Sequence, residues 1–324
     1  MSTETTKDPR EIAFCSPQAP EIFRSVACPT EVWTPDPFDV PTVFADARAV
    51  FDRLLDRATS PNDRAGRVLL IKGESGAGKT HLMRAFRAAA HGRGQAYFAY
   101  MQMTTAGGNY LRYLLNKLID SLDQPYDRPR SGESGLRRLS RVLVERDSLD
   151  TSQLRRLRGE TVGGNKTRRP LTDDERIQLV NDLADQVLED AVFQSAQANG
   201  DLHDLLRAML YLQCDRLGVR QRAMKYLRGE DLGNSDRAKL DLAPLHQDQQ
   251  VQSMIERLGK LIWTLQGSAL VLCIDQLDDF FRAGRSEELL GESQDSFRRA
   301  IQALTSISAA VPSSVTVISC LSDY

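Results

Sequence analysis

Apolar residues first fall into a helical rhythm at Val43, Phe44, Ala47, Val50, Phe51, Leu54, Leu55 and Ala58. A helix with one buried face is predicted there, with Thr42 as its N-cap. Arg67 to Lys72 (RVLLIK) breaks that rhythm: short, apolar and bounded by Gly66 and Gly73, it reads as a buried strand of a parallel sheet. Ala96 to Met103 reads as a second strand. From residue 104 to 268 no comparable strand follows. Amphipathic helices are predicted over Tyr110 to Leu122, Ile177 to Ala191, Leu202 to Cys214 and Val251 to Leu265. Between about Pro125 and Pro170 the chain is rich in Arg, Gly and Ser with weak periodicity, and is expected to be a loop or partly disordered. Two further strands are predicted. Ala269 to Asp275 (ALVLCID) follows a C-cap at Gly267, and Ser314 to Cys320 (SVTVISC) follows a helix carrying Phe297, Ile301, Leu304 and Ile307. Ahead of all this, seven of the 13 prolines crowd the first 41 residues, so residues 1–41 are expected to be an extended arm.

Composition changes this picture little. The 324 residues are 41% apolar, enough to bury a sizeable core, and the net charge of -2 supplies no overall attraction to nucleic acid or an anionic membrane. Cys15, Cys28, Cys214, Cys273 and Cys320 are odd in number and lack paired metal spacing, which argues against a disulfide framework or zinc site and for a reducing cytoplasm. Cys273 and Cys320 are expected to point into the core from their strands. No run approaches the roughly 18 apolar residues needed to span a bilayer, so neither secretion nor membrane insertion is expected.

Chemistry enters with Gly73, Glu74, Ser75, Gly76, Ala77, Gly78, Lys79 and Thr80, which satisfy the P-loop pattern G-x-x-x-x-G-K-[ST] between a strand and a helix. Successive backbone N–H groups of such a loop wrap phosphates, and the positive end of the following helix adds to the anion site. Lys79 is expected at the β and γ phosphates, Thr80 on magnesium, and His81 beside the nucleotide. The run ALVLCIDQLDDF supplies the acidic half of the site. Asp275 is expected to hold magnesium through its water shell, and Asp278 or Asp279 to orient or deprotonate the attacking water. Ser319 or Ser322 is the candidate sensor of the γ phosphate. The one Asn-Lys pair resembling a guanine-reading motif, Asn116-Lys117, has a residue too many before Asp120 and lies in an amphipathic helix, so ATP with Mg2+ is expected rather than GTP.

GESGAGKT with IDQLDD resembles the additional-strand P-loop ATPases, and the acidic spacing is similar to NACHT and other STAND ATPases and their origin-recognition-type AAA+ relatives. Arg222 to Glu230 (RAMKYLRGE) also resembles a stretch of large bacterial phage-defence ATPases of BREX-type loci. The resemblance implies an α/β, three-layer P-loop NTPase sandwich with parallel strand order 5-1-4-3-2. It also implies a helical insertion at about 125–248 within a domain spanning 42–324. The family continues beyond a fourth strand into a fifth, an arginine finger and a helical lid. With Tyr324 just after the fourth strand, the sequence is expected to be either the amino-terminal portion of a longer protein or a strongly divergent member. Arg298 and Arg299 are candidates to act on a neighbouring subunit, and Trp33 to Val40 to contact adenine.

Three functions fit these features. The first is a regulatory or motor ATPase whose nucleotide state controls oligomerisation or engagement of a protein effector, with a role in bacterial antiviral defence. The second is an ATPase that loads or remodels DNA or RNA, because residues 128–169 hold 12 basic residues against five acids. The third is a scaffold that holds ATP without turning it over.

Overall fold

The computed structural model describes residues 16, 29–34, 36, 39–63, 65–103, 109–126, 132–160, 169–196, 202–277 and 290–322. Four parallel strands, β1 (Arg67–Lys72), β2 (Ala96–Gln102), β3 (Ala269–Asp275) and β4 (Ser314–Cys320), form one sheet in the order β1-β4-β3-β2. The predicted strand placements hold, and the order matches the four corresponding positions of the expected one. In register, Ile71 lies opposite Ser319, and Gln102 opposite Asp275.

Alternation along the strands sends side chains to two cores. On one face Phe98, Val271, Cys273, Val315 and Val317 pack with Phe51 and Leu55 of α1 (Ala45–Ala58) and with Leu82, Met83 and Phe86 of α2 (Lys79–Gly92). Phe51 and Phe86 stack with ring centroids 4.1 Å apart. On the other face Tyr97, Ala99, Leu270, Leu272 and Ile274 meet α3 (Tyr110–Leu122), α11 (Asp248–Gln266) and α12 (Leu290–Ala310). That second core continues into the helical layer between β2 and β3, built from α4 (Gly135–Val144), α5 (Thr151–Leu157), α6 (Asp173–Glu189), α7 (Ala191–Ala196), α8 (His203–Tyr211), α9 (Leu217–Leu227) and α10 (Asn234–Ala238).

Both outer strands have an edge, and among the described residues that of β2 is covered by side-chain hydroxyls. The outward carbonyls of β2 accept side-chain hydroxyls: Tyr126 donates to Ala96 at 3.0 Å, Ser121 to Tyr100 at 3.0 Å and Tyr113 to Gln102. These bonds occupy the groups that an added strand would need. Along β1, by contrast, Val68 and Leu70 are more than half exposed.

Three expectations need correction. The first helix starts at Ala45, not after Thr42, and its N-cap is Phe44 in the left-handed conformation at φ 58°. Residues 41–44 form a turn closed by Val43 N–H to Val40 at 2.9 Å, so Val43 and Phe44 are exposed instead of lining the buried face. The Arg-rich stretch after Pro125 is not a loop throughout. Ser134 caps α4 and Asp150 caps α5, and Leu136, Leu139, Leu143, Val144, Leu154 and Leu157 are buried. The arginines between those leucines obscured the period. Finally, Pro29–Trp33 is a 3-10 turn with Val32 buried against α1 and α2, whereas the rest of the expected arm lies largely outside the described residues. Cys273 and Cys320 are buried, as expected.

Candidate functional site

The loop from Gly73 to Gly78 leaves β1 and turns into α2. Gly76 at φ 78° and Gly78 at φ 85° occupy the left-handed region that L side chains rarely adopt. A Cβ on Gly78 would also meet the Phe44 ring at 3.2 Å. The loop is tied to the sheet centre, since Gly73 N–H donates to Cys320 at the end of β4 at 3.2 Å. Glu74, Ser75, Gly76 and Ala77 are exposed, and Ala77 N–H closes a turn onto Glu74 at 3.2 Å. Lys79 curls over this loop and donates from Nζ to the carbonyls of Gly73 and Glu74, each at 2.9 Å.

Sheet order brings the second half of the site to the first. Asp275 ends β3, and β4 carries Ser319 between it and β1. Thr80 Oγ1 donates to Asp275 Oδ2 at 2.6 Å, although the two residues are 195 positions apart. Ser319 Oγ and, at 3.0 Å, Gln276 N–H donate to Asp275 Oδ1. Tyr100 O–H donates to Oδ2 at 2.9 Å. Asp275 is only 2% exposed, and these four donors satisfy its buried oxygens. Gln276 takes a left-handed φ of 59° immediately after it. Burial first, and then the negative charge of Asp275, push the Tyr100 phenol well above its ordinary pKa, so it stays a proton donor.

Thr80 and Asp275 present hydroxyl and carboxylate oxygens side by side, a donor set that fits a hard divalent cation such as Mg2+. Of the other predicted site residues, Asp278 and Asp279 lie outside the described residues, and Ser322 is exposed beyond β4. His81 follows Thr80, but its ring is held by two carboxylates, Nδ1 to Asp36 at 3.0 Å and Nε2 to Asp39 at 3.2 Å. Arg84 reaches Asp36 at 3.3 Å and donates to the Thr34 carbonyl at 2.8 Å. Arg48 grips Asp39, and that hydrogen bond is the main cause holding the Asp39 carboxyl below its usual range. The described residues from Thr34 to Asp39 are thereby clasped to α2. A cleft of about 340 Å³ runs from the loop along Phe44, Ala47, Val50, Leu70 and Leu82.

Residues 48–318 match the family described as the AAA ATPase domain. The chain belongs to that family. No curated protein and no solved structure matches it. An AAA ATPase domain binds and hydrolyses ATP, and the parallel α/β sheet flanked by helices is consistent with it. No helix among the described residues is long and apolar enough to cross a membrane.

In this AAA ATPase domain the described arginines of the basic stretch largely hold the helical layer together. Arg141 bridges Glu133 and Glu145, Arg146 pairs with Asp190, Arg156 and Arg169 share Glu175, and Arg138 lies over the Tyr126 ring. Arg298 and Arg299 are exposed on α12, where both contact Asp295. Sequence reasoning missed Tyr100 and Gln276, and it named Asp36 and Asp39 only within the Trp33 to Val40 stretch. Tyr100 offered one signal, a hydroxyl near the end of a largely apolar strand.

Proposed function

We propose that this AAA ATPase domain is an ATP-binding and ATP-hydrolysing regulatory or motor unit whose nucleotide state controls self-assembly or engagement of a protein partner. The observation that carries the reading is the meeting of Thr80 with Asp275 at 2.6 Å, next to the glycine loop and across β4. In this proposal the N–H groups of residues 74–80 hold the phosphates, and Lys79 turns from the Gly73 and Glu74 carbonyls onto the β and γ phosphates. Thr80 and Asp275 would hold Mg2+, which supplies Lewis-acid charge neutralisation when bound. Asp278 or Asp279 takes a proton from the attacking water, a role carried over from the sequence pattern. Ser319, on the strand between loop and acid, links the phosphate end of the site to Asp275. The cleft along Phe44, Val50 and Leu82 is proposed to receive the nucleoside.

A magnesium-dependent site that closes around the γ phosphate gives the two states such regulation requires. Self-assembly, a protein effector and a place in bacterial antiviral defence are the finer parts of the proposal. They draw on the resemblance of IDQLDD and of Arg222 to Glu230. The nucleic-acid reading is the second proposal; against it stand Arg141, Arg146, Arg156 and Arg169, four of the 12 basic residues that suggested it, which are engaged in ion pairs within the helical layer.

Phosphate release from Mg-ATP tests the proposal in wild type, Lys79→Ala and Asp275→Asn, with molecular mass followed by light scattering in ATP and in ADP. Turnover should fall about 100-fold or more in both variants. The mass of the wild type should differ between the two nucleotides. Undiminished turnover in Lys79→Ala would overturn the assignment of the site, and an unchanged mass would remove self-assembly from it.

A further inference from the structure

The acidic end of the site is braced by a residue that belongs to neither motif. Tyr100 sits on β2, opposite Cys273 of β3, while Asp275 lies two residues further on, a rise of about 6.6 Å along a strand. A tyrosine is long enough to cover that gap, and its hydroxyl ends 2.9 Å from Asp275 Oδ2, the same oxygen that Thr80 bonds. Shorter hydroxyl side chains would fall short of it.

Both ends of Tyr100 are fixed. Its N–H donates to Ser121 Oγ at 3.1 Å, and that hydroxyl returns a bond to the Tyr100 carbonyl at 3.0 Å, so α3 clamps the backbone. At the tip, the Gln102 amide donates to the phenol oxygen at 3.3 Å. A carboxylate only accepts, so the phenol proton is directed at Asp275. Terminal torsions of aspartate are soft and broad. With Ser319 and Gln276 on Oδ1, and Thr80 and Tyr100 on Oδ2, the carboxylate plane has one orientation.

We propose that Tyr100 is a positioning residue for metal binding, holding the Asp275 carboxylate in the orientation in which it meets magnesium with the bound nucleotide. The inference rests on the ATPase reading of the same site and adds to it a residue outside both motifs. Outer partners of a metal-holding carboxylate typically change metal affinity by 10- to 100-fold when removed.

The test is binding of a fluorescent ATP analogue titrated with Mg2+, in wild type, Lys79→Ala, Tyr100→Phe and Tyr97→Phe, with thermal melting recorded for each. Tyr100→Phe keeps the ring and loses only the hydroxyl. Tyr97→Phe is the control, since Tyr97 is also buried on β2 but its hydroxyl bonds Gln266 at 2.6 Å, away from the site. In Tyr100→Phe the Mg2+ concentration at half-saturation should rise about 10-fold, with nucleotide binding in EDTA unchanged. Tyr97→Phe should follow the wild type. Equal Mg2+ dependence in Tyr100→Phe and wild type would overturn the positioning role while leaving the nucleotide site standing. Wild-type binding indifferent to both Mg2+ and Lys79→Ala would overturn the ATPase reading itself, and this role with it.

Discussion

Along β2, six of seven residues are buried, and hydroxyls from Ser121, Tyr113 and Tyr126 occupy its outward carbonyls; along β1, every second side chain faces solvent. The P-loop grows from the open strand, where its N–H groups can be approached from outside. Asp275 ends β3, which is buried along its whole length. On the proposed function the two halves of the site divide their work: one half would be presented to an incoming anion, and the other is held by the neighbours that bury Asp275. The difference also implies that substitutions of similar size should behave very differently on the two flanks.

The sharpest contrast is expected from Phe98→Ala on β2. Phe98 is 1% exposed and meets Trp33 and His91 edge-on. Its truncation should cost about 3–5 kcal/mol in chemical denaturation. A smaller, pH-selective effect is expected at His91, stacked on Tyr126 at 4.4 Å in the same flank. Burial first, and then the charges of Arg87 and Arg138, lower its pKa from 6.5 to about 3. The unfolded chain therefore binds the extra proton below pH 6.5 and the folded chain does not until about pH 3. Stability from this source is complete above pH 6.5 and falls as the pH drops toward 3, by something on the order of 2 kcal/mol at pH 5. His91→Leu should flatten that part of a melting-temperature profile, and an unchanged slope would show that His91 is not its source. The smallest effect belongs to β1: Val68→Ser, at a side chain 55% exposed, should change stability by no more than about 0.5 kcal/mol. A loss there comparable with Phe98→Ala would erase the distinction between the flanks.

Much of this arrangement was legible in the residues. RVLLIK, ALVLCID and SVTVISC are apolar runs with few competing periods, and their strands match the readings residue for residue. The glycine loop was legible because its backbone chemistry dictates its spelling. Phe44 was not, because a phenylalanine in a left-handed cap contradicts local preference and sits where its ring contacts Gly78. Helices α4 and α5 were hidden because arginine side chains, among them Arg141 paired with Glu133 and Glu145 and Arg156 paired with Glu175, break up the pattern of their leucines. Tyr100 escaped because its partner lies 175 positions away, and nothing in the strand sets its hydroxyl apart from that of Tyr97.

The strand order carries a consequence for how the molecule comes into being. β4 is the last of the four strands along the chain, yet it lies between β1 and β3. During synthesis the loop and Asp275 can both have emerged and still be parts of unjoined segments, until Ser314–Cys320 slides between them. Such long-range parallel pairing is intrinsically slow and leaves apolar strand edges open in the interim. Nucleotide cannot template the site before that insertion, but once β4 is seated it stabilises the finished sheet by binding to it. The final pairing step thus completes the sheet and unites the two halves of the site at the same moment.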